Sequence, residues 1–363
     1  MALRDKRTLH ARGGPVAKPS TRFCLVGVGR AGMVHARNVT RRIMNAEMTA
    51  LCDANPDALK QAGDELGVTA LYTDYREAVA DPCVDAVIIV TPTFLHCPIA
   101  CAAAARKKHV FLEKPMAITV AECRAINEAA SQNGVKLQLG FMRRFSEGFL
   151  RAKAILDSGD MGRIMIIKST GRGPGLPPPW IYDIGKSNGI LAEVNSHDFD
   201  SVRWLAGSDI VRVYAEGANF KCPDAKSDFP DFYDNALVSL RFANGTIGSI
   251  DGTCPAHYGY DARVEVLCER GALFIGSTVK PGFSKVTVDD VTVTGKGTVY
   301  GDAVQSWRDL FKDAYVAELE HFIACLERDE SPSVSGQDGL QAVAAVVAAN
   351  RSIQSGEPVT VTT

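Results

Sequence analysis

Three groups of residues stand where a folded chain could do chemistry. The first is "GVGRAG", which spaces Gly27, Gly29 and Gly32 as G-x-G-x-x-G. It follows the apolar run "RFCLV" and opens a segment of helical spacing, the context that a dinucleotide-binding turn requires. There the first glycine makes the bend, the second lets backbone approach a pyrophosphate, and the third permits close helix packing. The helix N-terminus beginning at Arg30 adds free N–H groups and the positive end of a dipole. A glycine-rich turn with no ligand is the bland alternative, and the flanking strand and helix weigh against it. Asp53 closes the next apolar run, about twenty residues beyond the last glycine, where an acid binds the ribose 2′-hydroxyl. A carboxylate there repels a 2′-phosphate and favours NAD over NADP. It could also cap the helix starting at Pro56.

The second group is "HVFLEKP", with Glu113, Lys114 and Pro115 directly after a buried run. Strand ends in open α/β sheets face the ligand crevice. A lysine in a low-dielectric cleft can carry a proton or donate a hydrogen bond. Alone, the tripeptide reads equally as a surface salt bridge. "VTPTFLH" ends another strand and brings Thr91 and His96 near the same crevice, although His96 suits a helix start satisfied by backbone just as well. The third group lies in "GILAEVNSHDFDSVRWLAG". His197 follows Glu193 by four residues, so the spacing predicts one helical face. A histidine beside a carboxylate is an acid/base arrangement, and also a common solvated face.

These groups need elements to hold them. Apolar runs ending in glycine or proline alternate with helical patterns up to about Met142, which predicts a doubly wound parallel sheet. Beyond it come one helix, a strand and the Gly/Pro-rich stretch "GRGPGLPPPWIYDIGKSNG". That stretch is too long for a simple connection and is a candidate substrate loop carrying Trp180 and Asp183. A single helix is expected over 190–205, an antiparallel sheet over 211–293, and helices in "WRDLFKDAYVAELEHFIACLE" and "GLQAVAAVVAANRSI". The expected division is a disordered tail over 1–20, a Rossmann dinucleotide-binding domain over 21–141, and a substrate-binding and oligomerisation α/β domain over 142–363.

Composition narrows the partners. The 363 residues are 46% hydrophobic and 23% charged with a net charge of -2, which gives no field for nucleic acid or anionic lipid. No apolar run has the length a bilayer needs. The ten cysteines contain no Cys-x-x-Cys pair, and nothing completes a metal site around Cys97 and Cys101. Buried thiols in a reducing cytoplasm are expected, with no metal and neither nucleic acid nor membrane as partner. The first twenty residues are basic without the apolar core of a secretory signal.

Taken in order, G-x-G-x-x-G, Asp53, "TPTFLH", "HVFLEKP" and "HDFD" resemble the Gfo/Idh/MocA family of nicotinamide-dependent oxidoreductases, from about Thr21 to the C-terminus. "GFMRRF", "HDFD" and "YGYDARVEV" are most similar to its inositol 2-dehydrogenase branch. The resemblance implies an N-terminal Rossmann sheet plus a C-terminal α/β domain with a large, open, mainly antiparallel sheet. It implies that Lys114 sits between nicotinamide and substrate, that His197 accepts the proton, and that Glu193 stands at the position of an orienting acid. That branch generally has Asp where this chain has Glu193. Gly27, Gly29, Arg30, Gly32, Asp53, Thr91, His96 and Glu113 fall to the cofactor; Met142, Arg143, Tyr260, Trp180 and Asp183 fall to the substrate. The expected activity is NAD-dependent oxidation of a secondary hydroxyl on a cyclic polyol or sugar. Two alternatives are a redox-neutral glycosidase or epimerase with tightly held NAD, and a sugar-sensing regulator. A homo-oligomer, tetrameric in the family, is expected through the exposed sheet face.

Overall fold

The computed structural model describes residues 20–257, 259–276 and 306–363. The expected tail lies outside them except for Ser20, as do Tyr258 and the stretch 277–293. The first sheet comprises β1 (Thr21–Val26), β2 (Ala46–Cys52), β3 (Ala70–Tyr72), β4 (Ala86–Ile89), β5 (His109–Leu112) and β6 (Leu137–Leu139). The order is β3-β2-β1-β4-β5-β6, all parallel. Its crossovers carry α1 (Arg30–Arg41), α2 (Pro56–Leu66), α3 (Tyr75–Ala78), α4 (His96–Ala105) and α5 (Val120–Asn133). The apolar runs are strands buried on both faces. Phe23 and Leu25 of β1 enter one core, whereas Cys24 and Val26 enter the opposite one. Reversal of strand order between β1 and β4 opens a crevice at the C-terminal strand ends.

The second half contains α6 (Glu147–Asp157), β7 (Ile164–Arg172), α7 (Ile184–Ser187), α8 (Gly189–Glu193) and α9 (Ser196–Ala206). It continues through β8 (Ile210–Ala218), β9 (Asn235–Phe242), β10 (Ile247–Thr253), β11 (Asp261–Cys268) and β12 (Gly271–Ile275). After these come α10 (Trp307–Leu310), α11 (Ala314–Arg328), α12 (Gly336–Ser355) and β13 (Val359–Thr360). The strand order is β12-β11-β7-β10-β9-β8-β13, antiparallel except for the β7–β10 pair. Along β9, Ala236, Val238, Leu240 and Phe242 are buried, while Leu237 and Arg241 face outward. One face of this sheet therefore packs on the second core and the other stays open. Among the described residues, no helix is long and apolar enough to cross a membrane.

Two expected helices are divided. The predicted helix over 190–205 breaks after Glu193, because Asn195 turns its amide into the sheet. The Asn195 amide donates to the Gly171 carbonyl at 3.0 Å and to Asp198 Oδ2 at 2.9 Å. A Cβ at either Gly171 or Gly252 would collide with that side chain, so two mid-strand glycines make the room. The C-terminal helical stretch likewise splits into α10 and α11.

Candidate active site

The glycine turn has the three properties its spacing foretells. Gly27 has φ +102°, and a Cβ there would stand 2.5 Å from the Val90 carbonyl oxygen. Gly32 lies against the Gly27 carbonyl with no space for a side chain, whereas Gly29 faces open space. No side chain caps α1 at Gly29, which leaves its first N–H groups for a ligand. Asp53 does not cap α2; Asn55 does, accepting from the Asp57 and Ala58 N–H groups. Asp53 instead accepts from the Val28 N–H at 2.8 Å and the Asn55 N–H at 2.9 Å. Its carboxylate thereby ties the end of β2 to the glycine turn. The turn, the uncapped helix and the acid together fit a dinucleotide.

Beside this turn opens a cavity of about 620 Å³. Its wall includes Gly29, Arg30, Thr91, Glu113 and Lys114 from the ends of the parallel strands, and Glu193 and His197 from α8 and α9. Met142, Trp180 and Tyr260 line it as well. The Lys114 Nζ donates to the Glu193 carbonyl oxygen at 2.8 Å. The Glu193 side chain accepts from the Thr93 hydroxyl at 2.5 Å. Burial pushes the Glu193 pKa up to about 7, against the pull of Lys114 and the Thr93 bond.

Glu193 does not orient His197. The helix breaks at Val194–Asn195 between them, the Glu193 carboxyl is taken up by Thr93, and no hydrogen bond joins it to His197. His197 is buried, its Nδ1 has no hydrogen-bond partner, and its ring meets Phe141 edge-on at 6.0 Å. Burial, followed by the positive charges of Lys114 and Arg143, holds its pKa well below the ordinary imidazole value. A carboxylate facing the ring would act in the opposite direction; here burial dominates and the two cations add to it.

Three other expected contacts move away from the cavity. Arg143 is wholly buried and pairs with Asp198 Oδ1 at 2.7 Å, so it braces the floor and does not line it. Arg144 pairs with Asp200 at 2.5 Å and with Asp338 at 3.0 Å. The two acids of "HDFD" thus hold the two arginines of "MRRF", an arrangement that docks α9 on the turn after β6. Asp183 caps α7 by accepting from the Gly185 N–H at 3.0 Å, and lies outside the cavity wall. His96 also lies outside it, its ring nitrogens 2.8 Å from the Pro115 carbonyl oxygen and 2.9 Å from that of Thr91. It braces the two loops that carry Thr91 and Lys114. The sequence did not single out Thr93 as the partner of Glu193, nor Tyr315, Trp307 and Arg308 as part of the wall.

A parallel sheet with a glycine turn at its reversal point defines a dinucleotide-binding enzyme fold. Residues 21–141 match the family described as "Oxidoreductase family, NAD-binding Rossmann fold", and residues 149–274 match the "GFO/IDH/MocA C-terminal domain". The chain is 34% identical to a myo-inositol 2-dehydrogenase of Thermotoga maritima, over 92% of this chain and 96% of that one. It is 33% identical to a scyllo-inositol 2-dehydrogenase (NAD(+)) of Bacillus subtilis, over 93% and 95% of the two chains. A crystal structure of scyllo-inositol dehydrogenase from Lactobacillus casei, with NAD(H) and scyllo-inositol bound, superposes with TM-score 0.82 at 27% identity, covering 94% of this chain and 99% of that one. The chain belongs to the Gfo/Idh/MocA family, and is an NAD-dependent oxidoreductase.

Proposed function

We propose that this enzyme oxidises a secondary hydroxyl of a cyclic polyol or sugar (an inositol, a monosaccharide or a glycoside) to the ketone. The observation that carries the reading is that Lys114, Glu193 and His197 line one cavity together with the backbone of Gly29. Bound NAD supplies the hydride acceptor. Gly29 and the α1 N-terminus hold its pyrophosphate, and Asp53 holds its ribose. His197, kept neutral by its surroundings, accepts the hydroxyl proton. Lys114, steadied by the Glu193 carbonyl, donates to the reacting oxygen as negative charge develops on it. Glu193 titrates near neutrality and is the second group able to take the proton onward. Met142, Trp180 and Tyr260 offer a ring-shaped substrate flat apolar contact and a phenol. The relatives named for myo- and scyllo-inositol support a polyol.

The same reading divides the chain into a cofactor half over 21–141 and a substrate half over 142–363. It places the enzyme in the cytoplasm, in keeping with ten free thiols. It also makes the protein a homo-oligomer through the open sheet face, where Phe220, Leu237 and Phe274 are 75%, 64% and 57% exposed. The test is a panel of inositols, monosaccharides and glycosides with NAD, scored by NADH absorbance. Steady NADH production on a ring polyol is the expected result. Conversion of substrate with no net NADH would instead favour a redox-neutral glycosidase or epimerase.

A further inference from the structure

Behind Lys114 lies a cluster that the reaction above does not use. His35 comes from α1, Glu113 from the end of β5 and Glu318 from α11, and all three are buried. One ligating atom from each lies within 4.8 Å of the other two. Glu113 is well held. Its Oε1 accepts from His35 Nε2 at 2.7 Å, and its Oε2 accepts from the Lys114 backbone N–H at 3.0 Å. Gly140 packs so closely that an added Cβ would stand 3.1 Å from the carboxyl carbon.

Glu318 is different. Both its side-chain oxygens are buried with no hydrogen-bond partner; only its backbone carbonyl is engaged, accepting from Gln138 Nε2 at 2.7 Å. An ionised carboxylate there would face a second carboxylate with no donor to stabilise it. The groups around it are His35 from α1, Glu113 from the end of β5, and Tyr315 one turn earlier on α11. Burial and then the Glu113 charge push the Glu318 pKa well above the usual carboxylate value. Burial and the two carboxylates push Tyr315 well up too. A metal ion fits poorly. The 2.7 Å separation of His35 Nε2 and Glu113 Oε1 is that of a hydrogen bond, whereas ligands about 2.1 Å from one tetrahedral ion sit roughly 3.4 Å apart.

We propose that Glu113 and Glu318 form a buried carboxyl pair holding one proton, resident on Glu318, and that this pair positions Lys114 by keeping Glu113 the anion that grips its backbone N–H. The role assigned to Lys114 rests on the proposed function; the proton held on Glu318 does not. Two carboxyls at close range in an apolar setting ionise one at a time. Once the second proton leaves, repulsion drives Glu113 from Lys114.

The experiment uses the full chain and Glu318→Gln, which keeps the shape of a neutral acid. Infrared spectra are taken two pH units above the Glu193 value of about 7, where Glu193 is ionised. The wild type should then retain a protonated-carboxyl C=O stretch, sensitive to D2O, that Glu318→Gln lacks. The melting temperature supplies a second readout. A carboxyl whose folded pKa is raised stabilises fully below its unfolded value of about 4.3 and loses that contribution as pH rises through the folded value. The melting temperature of Glu318→Gln should therefore gain on the wild type with each pH unit from about 4.3 up to the folded value, and level off above it. On an active substrate, wild-type kcat/KM should fall tenfold per pH unit on the alkaline side, and Glu318→Gln should abolish that fall. Absence of the wild-type band, a pH-independent melting difference, or a wild-type melting temperature lowered by chelator would each overturn the pair. The wild-type band needs no variant, so the proposal is exposed even if Glu318→Gln fails to fold. Positive infrared and melting results without turnover on any polyol would sink the functional reading and leave the proton pair standing.

Discussion

His197 and Glu193 share a cavity, but burial moves a base and an acid in opposite directions, and their titrations separate accordingly. His197 is buried and faces Lys114 and Arg143 as well, which holds its pKa well below the ordinary imidazole value and keeps it neutral in the neutral range. Its protonation therefore leaves no inflection there. Glu193, with its pKa near 7, does. Oxidation needs a group that can accept a proton, so kcat/KM should rise through about pH 7 to a plateau as Glu193 ionises. Glu193→Gln should flatten that rise. A rise that persists unchanged in Glu193→Gln would assign it to another group. His197→Ala should lose on the order of 10² to 10⁴ in kcat at every pH, since a neutral base is removed across the whole range. Lys114→Ala tests the third member. Its amine reaches the Glu193 carbonyl and not the glycine turn, so turnover should fall by about 10² to 10⁴ while NADH binding stays within a few-fold. Fluorescence titration with NADH separates the two effects. Near wild-type kcat in Lys114→Ala would make the lysine structural.

Elements deliver these residues, and the glycine turn shows how tightly. Asp53 bonds the Val28 N–H and the Asn55 N–H, so one carboxylate sets both the turn after β1 and the entry to α2. Asp53→Ala should lower stability by about 1–2 kcal/mol through these lost charge-assisted bonds. It should also weaken NAD more than NADP, because a repulsive charge goes with it. Thermal melts and initial rates with both cofactors check this; a wild type that already prefers NADP would refute the specificity half. This turn was legible in the sequence because every requirement is local: an apolar run, three spaced glycines, a helix start. The break between α8 and α9 was not. Glu193 and His197 have helical spacing, and nothing nearby forbids one continuous helix. The break comes from Asn195 reaching Gly171 across the sheet, a contact 24 residues away. Glycines at 171 and 252, inside stretches of strand character, were the available sign of a close approach. Arg143 misled for the same reason: its partner, Asp198, is 55 residues off.

At the scale of the molecule, the far end of the chain completes the first sheet. α11 inserts Val316, Leu319, Phe322 and Ile323 into the core that holds Phe23 and Phe111. The Phe322 ring lies 6.4 Å from Phe23 and 5.9 Å from Phe111. α12 serves both halves, with Leu340 and Val343 in the core beneath α4 and α5, and Val346 and Ala349 in the core of the second sheet. Amphipathic spacing announced both helices, but not which sheet they would cover, since an apolar stripe does not name its partner. Glu318 was hidden in this way, a charge on a helix that reads as half solvated until its face is known. The packing bears on whether residues 21–141 can stand alone. Four buried side chains of this size contribute about 6–12 kcal/mol as an upper bound. That is comparable with the entire stability of a typical domain, about 5–15 kcal/mol. A fragment ending at residue 141 should therefore expose Phe23 and Phe111, aggregate, and fail to bind NADH, although it holds the whole glycine turn. Adding α11 back as a fused segment should restore a cooperative melt and part of the NADH fluorescence. A soluble 21–141 fragment that melts cooperatively and binds NADH would show that the first sheet needs nothing from α11.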